Sequence, residues 1–155
     1  MLALQTPLLL LLAILLVAAA LLDIRHRIIP NPLNAAIALI ALPWWLAAGL
    51  TGPEMLVQAG MAAALLVVFG LCFAAGMMGG GDVKLIAALA LWLPAGAIAT
   101  MLFWMALGGG VLTLAMLVLH RLRRAGGRPE IPYGVAIAAA ALGIVANDIL
   151  TVPVA

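Results

Sequence analysis

Long apolar runs, broken at short intervals by proline, glycine and charge, set the pattern of this chain. No charged side chain occurs in residues 4–22, 33–50, 55–81, 97–119 or 133–147. Runs of roughly 17–25 apolar residues are long enough to cross a bilayer as helices. The pattern predicts six helices: about Leu4–Leu22, Leu33–Leu50, Glu54–Met78, Asp82–Leu93, Ala97–Leu119 and Tyr133–Leu150.

The breaks have physical causes. In "DIRHRIIPNP", Pro30 and Pro32 stop the first helix. Asn31 is placed to cap the second, with Pro32 in its first turn. "TGPE" reads as a turn with Pro53 opening the third helix. Gly79, Gly80 and Gly81 end that helix, and Pro94 and Gly96 end the fourth. At 1.5 Å per residue the fourth reaches only ~18 Å. A hydrocarbon core is ~30 Å thick. If its Pro94 end meets one interface, Asp82 stops short of the other, in a space walled by protein. Gly108, Gly109 and Gly110 in the fifth helix permit close helix approach or a bend.

Composition agrees with burial in lipid. The chain has 155 residues, 68% of them hydrophobic and 8% charged. Its mean hydropathy is +1.35. A soluble domain carries about a quarter charged residues. The expectation is an all-α integral membrane protein, residues 1–155 forming one polytopic domain. The first run resembles a signal-peptide core, but no Lys or Arg precedes Arg25. A retained first helix with its N-terminus outside is expected. Six crossings then put all seven basic residues on the cytosolic side: Arg25, Arg27, Lys84, Arg121, Arg123, Arg124 and Arg128. Nothing here points to nucleic acid. The single cysteine, Cys72, forms no disulfide framework, and no zinc spacing occurs. No metal or cofactor is expected.

Of the five acids, three read as ordinary. Glu54 suits a helix N-terminus, Glu130 lies among arginines, and Asp148 ends the sixth helix beside Asn147. Asp23 and Asp82 differ. The topology puts both at one membrane face on separate helices, although Asp23 could pair with Arg25 or Arg27 and Asp82 could simply cap its helix. Ionisable residues at membrane depth are costly and are functional candidates. Two carboxylates within roughly 4–6 Å resist ionising together and share a proton. One then takes a proton from water while the other polarises a scissile carbonyl. A serine triad is impossible, because the chain has no serine. "GGGDVK" lacks the Gly-Lys-Ser/Thr ending of a phosphate loop. Lys84 is expected to reach toward lipid headgroups.

"GGGD", Gly79 to Asp82, resembles the Gly-x-Gly-Asp signature of the type IV prepilin peptidases. "DIRHRIIPN" resembles that family's first-aspartate segment, and "GGGDVKLIAAL" and "IPYGVAIAAAAL" are also similar to it. The resemblance implies an aspartic membrane endopeptidase of the bacterial inner membrane. Its substrates would be prepilins or pseudopilins, serving pilus or protein-secretion machinery. Asp23 and Asp82 map onto the two catalytic aspartates. Gly79, Gly81, Lys84, Pro30, Asn31, Tyr133 and Gly134 are candidates for shaping the site or binding substrate. Long members carry a cysteine-paired cytosolic domain and also N-methylate. This chain resembles the short form of tight-adherence (Flp-type) systems, so cleavage without methylation is expected.

Three alternatives stand beside this reading, one of them a catalytically inactive relative used as an assembly factor, against which the presence of both acids argues. An intramembrane protease of the presenilin or signal-peptide-peptidase kind would pair the motif with Tyr-Asp and Pro-Ala-Leu, which are missing here. A non-enzymatic transporter or secretion or pilus assembly subunit would more often place its ionisable residues near the midplane, between inverted repeats.

Overall fold

The computed structural model describes residues 2–122 and 131–151. Six helices follow one another: α1 Leu2–His26, α2 Asn31–Ala48, α3 Gly52–Ala74, α4 Gly80–Ala90, α5 Ala95–Leu122 and α6 Tyr133–Thr151. Four of them, α1, α2, α3 and α5, are long and apolar enough to cross a membrane; α6 contributes a shorter apolar helix.

α4 is the organising element. It packs against α2, α3 and α6, while α6 also packs on α1 and α5. Every residue from Leu85 to Ala90 is buried. A helix that is apolar on all sides belongs inside a bundle. That explains its length: eleven residues span roughly 17 Å, and its ends meet protein. The fully buried core joins Leu12 and Leu16 of α1, Ile37 of α2, Leu85, Ile86 and Leu89 of α4, Met101 of α5, and Ile137 and Val145 of α6. On α5 the buried positions Ile98, Met101, Met105 and Gly109 recur at helical spacing. The outward faces carry Leu39, Leu56, Val67, Leu71, Phe103 and Leu114, all exposed. Such a surface suits lipid rather than water.

Buried polar groups tie the helices together. Trp92 Nε1 donates to the Ile37 carbonyl at 2.8 Å, and Trp45 Nε1 donates to that of Leu91 at 2.5 Å. Gln5 Nε2 donates to the Ala47 carbonyl at 2.9 Å. An unpaired N–H in hydrocarbon costs several kcal/mol, so each bond also fixes a pairing.

Several helix limits differ from the sequence expectation. α1 runs past Leu22 to His26, which places Asp23 inside its last turn. Pro30, not Asn31, is the N-cap of α2; Asn31 is already helical. α3 stops at Ala74, ahead of the glycine run, because Gly76 takes φ 71° and turns the chain. Gly80 and Gly81 lie inside the first turn of α4. α5 is longer at both ends than expected.

Candidate active site

Asp23 is only 5% exposed. A carboxylate in the last turn of a helix faces the negative end of the dipole. α6 supplies the compensation. The Val135 N–H donates to Asp23 Oδ2 at 3.1 Å, and the Gly134 N–H also bonds to the carboxylate. Both amides belong to the first turn of α6, where N–H groups lack the i−4 acceptor; that of Val135 is shared with the Pro132 carbonyl at 3.3 Å. The charge that α1 disfavours therefore sits on the positive end of another helix. Arg27 lies within electrostatic reach of Asp23. It makes the turn out of α1 at φ 55°, and its Nη1 is buried without a hydrogen-bond partner among the described residues.

Asp82 is the third residue of α4 and is half-buried. Gly79 is the N-cap and has no side chain to cap with, so Asp82, at the third position, also serves the helix start. Its carboxylate turns back toward the Gly79 N–H. A Cβ on Gly79 would stand 2.9 Å from Asp82 Oδ2. Gly81 lies against the Ile29 backbone: a Cβ there would meet the Ile29 carbonyl at 3.0 Å. Asn34, 4% exposed, donates from Nδ2 to the Gly81 carbonyl at 3.0 Å. Thus α2 holds the first turn of α4 in place.

Lys84 and Asn31 also differ from expectation. Lys84 Nζ donates to Asn31 Oδ1 at 2.7 Å, linking α4 to α2 rather than reaching only for headgroups. Asn31 is the acceptor of that bond and caps nothing. Pro30 contributes its carbonyl, which accepts the Leu33 and Asn34 N–H groups at 3.1 and 3.3 Å.

Asp23 and Asp82 lie within electrostatic reach of each other. Ile29 is the wedge between their supports. Its backbone faces Gly81, and its Cδ1 would lie 2.6 Å from a Cβ on Gly134, which would also stand 2.8 Å from Asp23 Oδ2. Each carboxylate is therefore seated on a helix N-terminus, one on α6 and one on α4. Such an arrangement can hold two acids over one reacting group while both stay close to backbone donors.

Tyr133 packs on α5. Its ring lies against Gly109, where a Cβ would be 3.0 Å from Tyr133 Cε1, and its hydroxyl is 3.1 Å from Thr113 Oγ1. It fixes α6 on α5. Glu54 accepts the N–H and hydroxyl of Thr51 at 2.7 and 2.8 Å, as an acid in a first turn should. Asp148 lines a groove between α5 and α6 beside Asn147 and Ala97. Arg123, Arg124, Arg128 and Glu130 lie outside the described residues.

Asn34, Ile29 and Val135 are the residues that sequence reasoning missed. Asn34 left a signal, an amide inside an apolar run. Ile29 and Val135 left none, because they act through shape and a backbone N–H.

The fold and its exposed apolar faces define a multi-pass helical membrane protein with two carboxylates brought together from separate helices. The type IV leader peptidase family matches residues 10–114. The chain belongs to that family, and the family implies a protease. Asp23, Pro30, Asn31, Gly79, Gly81, Asp82 and Lys84 fall inside the matched segment; Tyr133 and Gly134 follow it. No curated protein and no solved structure matches the chain.

Proposed function

We propose that this protein is a membrane-embedded aspartic endopeptidase with Asp23 and Asp82 as its catalytic pair. One observation carries the reading: Ile29 packs against both Gly81, next to Asp82, and Gly134, whose N–H and that of Val135 hold Asp23, so two acids 59 residues apart in the chain share one neighbourhood from different helices. Burial of two carboxylates near each other is costly, and a purely structural role gives no return for it.

One carboxylate, ionised, accepts a proton from water as the water oxygen bonds to the scissile carbonyl carbon. The other, protonated, donates to the carbonyl oxygen, which becomes the hydroxyl of a tetrahedral intermediate. The intermediate then reforms its C=O, the C–N bond breaks, and the leaving nitrogen takes a proton from the pair. Water is consumed, and the two carboxyl groups return to one shared proton. The amides of Gly134 and Val135 orient Asp23, and Asn34 holds the turn that carries Asp82.

The substrate we infer is a prepilin or pseudopilin: a short basic leader followed by an apolar helix. The leader stays at the cytosolic surface while the helix enters the bilayer. Its scissile bond then reaches the interface, near the helix ends that carry the two acids. Six crossings with the N-terminus outside, in a bacterial inner membrane, put those ends on the cytosolic side, as the basic residues favour. Cleavage proceeds without N-methylation. A transporter would more often hold its acids near the midplane; here they belong to the last turn of α1 and the first of α4.

The test is co-expression with a candidate prepilin, read by mobility shift and by the mass of the product's new N-terminus. A shortened, unmethylated product supports the proposal. An uncut precursor with every prepilin encoded beside the enzyme contradicts it.

A further inference from the structure

The groove between α5 and α6 leads to the seat of Asp23. It encloses about 790 Å³. Val135 is in its wall, and the N–H of the same residue donates to Asp23 Oδ2 at 3.1 Å. From Val135 the wall follows α6 through Ala139 and Gly143 to Asp148. Residues 135 to 148, at 1.5 Å each, make a trough roughly 20 Å long. Trp104 and Gly108 of α5 form the opposite wall.

Shape, access and position select one kind of occupant. Gly108, Ala139 and Gly143 are exposed, so the trough opens sideways to lipid. A Cβ added to Gly143 meets nothing within 4 Å, so the protein's own side chains leave that space open. Small residues let another helix backbone come close, and close packing is what holds helices together in a bilayer. The trough also starts at one of the two acids. A substrate whose apolar helix follows directly on its scissile bond must leave the acids along such a path. The cavity of about 380 Å³ between α2, α3 and α4 offers no such path. Its α4 wall is Lys84, Ala87, Ala88 and Leu91. At about 3.6 residues per turn these lie on the side of α4 opposite Asp82.

We propose that the groove between α5 and α6 is the docking surface for the apolar helix of the substrate. That helix enters sideways from lipid and runs parallel to α6. Its first turn lies at Val135, which leaves the scissile bond at Asp23, and its later turns pass Ala139 and Gly143. The proposal rests on the catalytic pair inferred above, because the pair defines which end of the groove receives the scissile bond.

Disulfide cross-linking tests the groove without cleavage. The full chain carries Cys72→Ala, which removes its only thiol, and Asp82→Asn, which keeps bound substrate uncut. Ala139→Cys or Gly143→Cys then places one thiol in the groove, and Val67→Cys places one on the exposed face of α3 for comparison. The partner is a prepilin-type chain with a single cysteine moved stepwise along its apolar helix. We expect linkage at 139 and 143 at least fivefold above that at 67. The favoured substrate position should move about four residues further from the scissile bond between 139 and 143, as parallel helices require. In the active enzyme, Gly143→Leu fills the trough and should raise KM about tenfold with little change in kcat. Should it fail to fold, Ala139→Leu serves in its place. Equal or stronger linkage at 67, a shift in the opposite direction, or linkage only between two copies of the enzyme overturns the proposal. So does no linkage at any of the three positions, as for a groove filled by lipid, or a KM within twofold of wild type in both leucine variants. Linkage in the expected register to a substrate that the wild-type enzyme never cuts supports the docking surface and contradicts the catalytic reading.

Discussion

The backbone N–H of Val135 donates to Asp23 Oδ2 across 3.1 Å, joining residues 112 apart in the chain. The first turn of α6 thus holds the acid that ends α1. Proline at this position removes the bond, together with the longer bond of the same N–H to the Pro132 carbonyl at 3.3 Å. Proline is tolerated in a first helical turn and lacks the N–H, and the preceding residue is Gly134, which has no Cβ to clash. Val135→Pro should lower the single-turnover cleavage rate about 10–100-fold, the range for a bond to a charged group. Circular dichroism should show helix content unchanged. A rate within twofold of wild type would mean that the amide does not orient Asp23.

Gly134 tests the same contact from the side. An added Cβ would come 2.6 Å from Ile29 Cδ1 and 2.8 Å from Asp23 Oδ2. Gly134→Ala should displace the carboxylate and reduce kcat by about tenfold or more. Ile29→Val deletes Cδ1 and relieves only the first clash. The double variant should recover stability but only part of the activity. Full recovery of kcat would assign the defect to Ile29 packing alone.

Asn34 is a positioning residue on this account. Its Nδ2 bond to the Gly81 carbonyl fixes the turn that presents Asp82. Asn34→Leu keeps the volume and loses the bond. We expect kcat to fall about tenfold with KM nearly unchanged, because the loss concerns the geometry of reaction rather than substrate capture. A change in KM alone would move Asn34 into the substrate-binding surface.

Tyr133 should act through packing. Tyr133→Phe loses only the hydroxyl contact with Thr113, worth ~1 kcal/mol. Tyr133→Ala empties the space over Gly109 and should cost ~3–5 kcal/mol. Cleavage should stay within threefold for the first and drop with thermal stability for the second. A strong activity loss in Tyr133→Phe at unchanged Tm would place the hydroxyl at the reaction centre.

The helices were legible because apolar runs and their interruptions are local properties. The limits were less so. Gly80 and Gly81 read as breakers, yet both join α4, because the turn is made earlier, at Gly76. Asp23 and Asp82 stood out as rare acids, but their supports did not. Val135 contributes a backbone group that any non-proline residue supplies, and Ile29 contributes shape. Lys84 looked like a headgroup anchor because sequence places it at a helix end; its bond to Asn31 depends on how α2 and α4 pack.

The most direct measurement is single-turnover cleavage of a prepilin substrate by the reconstituted Asp23→Asn and Asp82→Asn variants, at matched levels of folded, membrane-inserted protein. Each substitution keeps the shape of the side chain and removes its acid–base function. Each should lower the rate by about 10³-fold or more, and the double variant should be little worse than either, because members of one catalytic unit are not additive. Cleavage at near wild-type rate by either variant would contradict the central claim.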